Sequence, residues 1–134
     1  MGNDTLTTLV LSLIAAAFLP YIAKIPLAVA MHKAGGYDTS HPREQQAQLK
    51  GFGARALAAH QNAFESLIVF AAAILLAITT DTTNETVLLL AILHICFRLA
   101  YHVFYLLDKG VLRSLSWAIA MVCSFTIMWL CIPG

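Results

Sequence analysis

Ala54-Arg55-Ala56-Leu57-Ala58-Ala59-His60-Gln61-Asn62-Ala63-Phe64-Glu65-Ser66-Leu67-Ile68-Val69-Phe70 opens a run that stays apolar as far as Thr79. A helix needs about 20 apolar residues to cross the hydrocarbon core of a bilayer, and this run is longer. Its first half nevertheless carries Arg55, Gln61, Asn62 and Glu65, side chains that acyl tails do not solvate. At roughly 100° per residue these four fall in one sector of about 120°, with His60 turned away. The stretch predicts a membrane-crossing helix with one polar stripe that faces protein rather than lipid.

Three more runs of this kind surround it. The spans predicted are residues 6–31, 54–79, 86–107 and 115–132, and the expected fold is an all-α integral membrane four-helix bundle, one domain over residues 1–134. The composition agrees: 60 % of the 134 residues are apolar and 11 % charged, against about 25 % charged in an ordinary soluble domain. A net charge of +1 excludes nucleic acid as a partner, because such binding needs clustered Lys and Arg on a water-facing surface. Cys96, Cys123 and Cys131 all lie in apolar runs, odd in number and without close pairing, so they fit neither a disulfide framework nor a metal site. They read as small core residues, and no metal is expected. The first span has an acidic rather than basic leader and outruns a signal-peptide core, so it is expected to be retained.

The loops give an orientation. Lys33, Arg43, Lys50 and Arg55 flank the first connection, and Lys109 and Arg113 the third. The second connection and the amino terminus carry only Asp4, Asp81 and Glu85. The positive-inside rule makes the first and third connections cytoplasmic and leaves both termini outside.

The third span holds a second stripe. His94, Arg98, Tyr101, His102 and Tyr105 share an arc of roughly 100°, while Cys96 points the other way. Glu65, about 16 Å in at 1.5 Å per residue, and Arg98 reach similar depths on antiparallel helices, so a buried pair between them is expected. Arg113-Ser114-Leu115-Ser116-Trp117 brings a further cation and hydroxyls to the mouth of the fourth span. Lys24, inside the first span, snorkels to the interface. A Glu–Arg pair with tyrosine hydroxyls would serve as registry glue without any ligand. Three arginines against one intramembrane glutamate leave an excess of positive charge, however, and that favours a small anionic ligand in a polar pocket open to the cytoplasm.

The pattern Arg55, then Ala59-His60-x-Asn62-x-x-Glu65, then Phe70 resembles the signature of the MAPEG family, the membrane-associated proteins in eicosanoid and glutathione metabolism. Arg98-x-x-Tyr101-x-x-x-Tyr105 followed by Arg113-Ser114 is similar to the family's second block. Tyr37-Asp38-Thr39-Ser40-His41-Pro42-Arg43 resembles its bacterial members, which implies a multi-pass protein of a bacterial inner membrane. The resemblance implies a homotrimer with glutathione, as cosubstrate, bound between subunits near the cytoplasmic side. It also implies membrane lipids as surroundings and a hydrophobic electrophile or lipid hydroperoxide as the other substrate. By position, Asn62, Glu65, Arg98, Tyr101 and Tyr105 match glutathione-contacting residues, with Arg55 and Gln61 on the same stripe. Arg113 matches the arginine that stabilises the thiolate, with Ser114 beside it.

The chemistry suits the ligand. Arginine forks hold carboxylates, Glu65 receives an ammonium, and a cation lowers a thiol pKa from its ordinary value of about 8.5 to supply the nucleophile. Gln61 stands where some relatives have arginine, Trp117 where others have tyrosine, and Val69 where a proline is common. Two other readings stay open: a non-catalytic lipid-binding scaffold of the same family, and a small proton-coupled transporter using Glu65. A haem bundle on His60 and His102 is disfavoured because His60 turns away from the stripe that holds His102.

Overall fold

The computed structural model describes residues 2–134, side chains from Asp4 onward, and contains five helices. They are α1 (Gly2–Lys33), α2 (Pro42–Gln48), α3 (Phe52–Thr79), α4 (Glu85–Leu106) and α5 (Gly110–Leu130). All but α2 are long and apolar enough to cross a membrane. The chain is an integral, multi-pass membrane protein built as a four-helix bundle. In packing, α1 lies chiefly on α3 and α4 chiefly on α5, with α3 also against α5.

Small residues let the helices approach. Gly53, Ala56, Ala59, Ala63, Ser66, Ala73 and Ala77 recur along α3 at steps of three to four, broken once by Phe70, and all are buried. Without a hydrophobic force between helices in lipid, such stripes gain stability through backbone proximity and dispersion. Gly53 is the tightest case: a Cβ there would meet Leu49 Cβ at 3.0 Å and Ala30 Cβ at 3.3 Å. The inner cluster joins Leu9, Phe70, Ile74, Val87 and Ile127. Large residues such as Ile68, Val122 and Trp129 are exposed, the inverse of a soluble protein and the correct arrangement for a lipid solvent.

The two tight turns share one device. At the end of α3 the Thr82 N–H donates to Ala77 O at 2.8 Å, with Asp81 at φ 55°. At the end of α4 the Lys109 N–H donates to Phe104 O at 2.8 Å, with Asp108 at φ 59°. Both are Schellman-type stops in which aspartate takes the left-handed position usual for glycine. Asn84 then caps α4, its side chain accepting from the Val87 N–H at 3.0 Å. Because the second stop is so short, α5 begins at Gly110, ahead of the Leu115 boundary read from the apolar run, and Arg113 and Ser114 lie within its first turns.

The long first connection, read as a loop, contains α2. Pro42 occupies its first turn, where a missing N–H costs nothing. Gln45 clamps the segment: its Nε2 donates to Met31 O at 3.1 Å and Gly36 O at 2.7 Å, and its Oε1 accepts from the Asp38 N–H at 2.9 Å. The Asp38 carboxylate accepts from the Ser40 and His41 N–H groups, both at 2.9 Å.

Candidate functional site

The polar stripe of α4 is held from both sides. His94, 1 % exposed, stacks on Phe70 of α3 at a centroid distance of 4.1 Å. Its Nδ1–H donates to Ala120 O of α5 at 2.9 Å, since a carbonyl only accepts, and Ser124 Oγ lies 2.9 Å from the same nitrogen. One turn further on, Arg98 is also 1 % exposed. Its Nη2 donates to the Asn62 backbone carbonyl of α3 at 3.4 Å, and its guanidinium lies 4.2 Å over the Tyr101 ring. Tyr101 meets Tyr105 edge to face at 5.5 Å, and Arg113 of α5 caps the Tyr105 ring at 4.5 Å. Two stacked phenols thus lie between two cations along one wall. Cation–π contact at partly desolvated positions stabilises such a ladder by about 0.5–2 kcal/mol per pair.

This wall bounds a cleft of about 420 Å³ lined by Asn62, Tyr101, Tyr105, Arg113, Ser114, Trp117 and Ala118. Three helices contribute, at the end of the bundle that carries the basic connections. Asn62 Nδ2 donates to Glu65 Oε2 at 2.9 Å, whereas Asn62 Oδ1 is buried without a partner. Two phenols, a hydroxyl and a guanidinium on one surface suit an anionic ligand.

Other predicted site residues lie elsewhere. The expected Glu65–Arg98 pair does not form: Glu65 is exposed and takes its hydrogen bond from Asn62. Among the described residues the one ion pair within 4.0 Å is Arg55 Nη1 to Asp108 Oδ2, at 3.9 Å. That pair ties α3 to the α4–α5 turn and leaves Arg55 outside the cleft lining. Gln61 opens onto a separate recess shared with Arg43 and Gln46 of α2. Helical periodicity predicts an α3 stripe that faces protein, yet Gln61 and Glu65 face out of the single chain. The reason is rotation: the stripe of small residues has the stronger claim on the bundle interior and turns the polar sector outward. Lys24 reaches toward the connection, its Nζ 5.7 Å from the Tyr37 ring. Trp117 and Ala118 join the lining beyond the residues that the sequence predicts; their spacing of three to five from Arg113 and Ser114 is the signal that points to them.

The arrangement brings together two blocks of sequence, one on α3 and one spanning α4 and α5. The MAPEG family model matches residues 8–133, nearly the whole chain. No curated protein and no solved structure matches it. At the level of the family this supports a role in glutathione-related or eicosanoid metabolism. On the four-span architecture and a match from end to end, the chain belongs to the MAPEG family.

Proposed function

We propose that the chain is a glutathione-dependent membrane transferase, with peroxidase chemistry open to it, acting on hydrophobic electrophiles or lipid hydroperoxides. The observation that carries this is the cleft in which Asn62, Tyr101, Tyr105, Arg113 and Ser114 converge from three helices. Arg113, half-buried at the mouth, faces the peptide anion and stabilises its thiolate, with Ser114 beside it as a hydrogen-bond donor. Glu65, already oriented by the Asn62 amide, receives the ammonium. In transfer, the thiolate sulfur forms a bond to the electrophilic carbon, the leaving group departs with the bonding pair, and the thiol proton has already passed to solvent. Substrate enters sideways from the acyl chains, over Trp117.

The chain acts as one subunit of a homotrimer. A charged side chain facing hydrocarbon costs about 2.5–3.5 kcal/mol near the midplane. Exposed Gln61 and Glu65 support a neighbouring copy against this face of α3. The basic end lies toward the cytoplasm of a bacterial inner membrane, with both termini outside. The test is titration of purified protein with glutathione, followed by thiolate absorbance and by turnover of an aryl halide and a lipid hydroperoxide. Binding with a new thiolate band and turnover of either substrate upholds the reading; no thiolate band and no turnover overturn it.

A further inference from the structure

Behind the cleft, on the inner side of Arg98, the bundle holds a further and much smaller space. It measures about 10 Å³ and is walled by Ala16 and Leu19 of α1, Ala63, Ser66 and Leu67 of α3, and His94, Arg98 and His102 of α4. Five buried side-chain atoms lack a hydrogen-bond partner among the described residues, and three of them belong to residues of this niche: Ser66 Oγ, Arg98 Nη1 and His102 Nε2. Ser66 is 4 % exposed and Arg98 1 %. Buried polar groups are almost always satisfied by protein or ordered water, so a cluster of orphans around one cavity calls for a bound partner.

Size and chemistry identify that partner. About 10–15 Å³ is the least that holds one water molecule, and a buried water makes about three hydrogen bonds. Carboxylates and phosphates are too large, and the fixed guanidinium repels a metal cation. We infer that Ser66, Arg98 and His102 form an internal site for a single water molecule, which fixes the orientation of the Arg98 guanidinium at the back of the cleft. The water accepts from Arg98 Nη1–H and from Ser66 Oγ–H, and donates to His102 Nε2. Arg98 is then satisfied on both sides: Nη2 on the Asn62 carbonyl, its face on Tyr101, and Nη1 on the water. Ser66 becomes a positioning residue that acts on the cleft through Arg98. This last step rests on the proposed glutathione site; the water site does not.

The test is a crystal structure of the full chain at a resolution that shows ordered water, together with the Ser66→Ala and Ser66→Val proteins. Ser66→Ala removes one hydrogen bond and keeps the space; Ser66→Val also fills the space with methyl groups. The expected result is a density peak within hydrogen-bond reach of all three atoms in the wild type, lost in Ser66→Val with rotation of the Arg98 guanidinium. Stranding a charged donor in this way should weaken glutathione binding about tenfold. The titration of the bound thiol should stay in place, because Arg113 is untouched. Absence of the peak in wild type overturns the inference, as does an anomalous bromide signal at the site after soaking. An unchanged Arg98 orientation and unchanged glutathione Kd in Ser66→Val overturn the positioning role. A wild type that shows the peak but binds no glutathione upholds the water site and refutes the proposed function.

Discussion

Replacing Arg113 with glutamine removes the guanidinium at the mouth of the cleft while keeping a shorter polar side chain with some hydrogen-bonding capacity. The magnitude follows from its setting. Arg113 is half-buried and packs its charge over the Tyr105 ring at 4.5 Å, in a cleft that opens outward. A cation about 4 Å from a thiolate interacts by about 1 kcal/mol in water and about 4 kcal/mol at an effective dielectric of 20. An open, half-buried site lies between these limits, so a pKa lowering of about 1–2 units is expected, at 1.36 kcal/mol per unit. The bound thiol should then titrate near 7 instead of about 8.5. A lowered thiol pKa means that thiolate, and with it activity, is present above the lowered value and lost as pH falls through it. In Arg113→Gln the whole limb should move up by the same 1–2 units. Thiolate absorbance and kcat/KM at pH 7 should drop about tenfold, and the two proteins should converge at alkaline pH. Arg113→Lys should fall between, since it keeps the charge but loses the planar fork. Titration curves that superimpose for wild type and Arg113→Gln, with glutathione bound in both, would refute the reasoning.

Arg98→Met should weaken glutathione binding by about tenfold while leaving thermal stability in detergent unchanged or raised, because a buried guanidinium with no carboxylate within 4.0 Å is held at a desolvation cost; a large drop in Tm would contradict this. Phe70→Ala should destabilise by about 3 kcal/mol or more, read from the midpoint of unfolding in mixed micelles, since the fully buried ring packs the inner cluster and stacks on His94. Hydrogen bonds, the His41 N–H first, hold the Asp38 carboxyl below its ordinary value of 3.8. The order it gives the first connection should therefore be complete above that value and fade as pH falls below it, visible as faster hydrogen exchange at Ser40 and His41, which Asp38→Ala should reproduce at neutral pH. Gln45→Ala should release α2 from Met31 and Gly36 and open residues 34–50 to limited proteolysis, with the four spans intact.

Much of this architecture is written locally. Each span is a run of apolar residues whose length meets the bilayer, and the arc shared by Arg98, Tyr101 and Tyr105 follows from helical periodicity with no reference to neighbours. The α4 stripe accordingly lies where its spacing put it. The short helix α2 escaped because its seven residues, five of them polar, carry no apolar period; it exists through Gln45's bonds to distant carbonyls. The early start of α5 escaped because it depends on Asp108 adopting a left-handed conformation, which no apolar period signals.

Sequence by itself determined the solvent of this protein, the number of its crossings and the residues with any chemistry to offer, because hydropathy and helical spacing are properties of contiguous chain. Tertiary structure alone decided who meets whom. Glu65 and Arg98 share a depth, yet depth does not fix rotation. The small-residue stripe of α3 turns Glu65 outward and Ser66 inward, so Arg98 faces a serine and a histidine where a carboxylate had been expected. Close packing between helices chose the azimuth, and the azimuth distributed the polar groups between cleft, recess and niche.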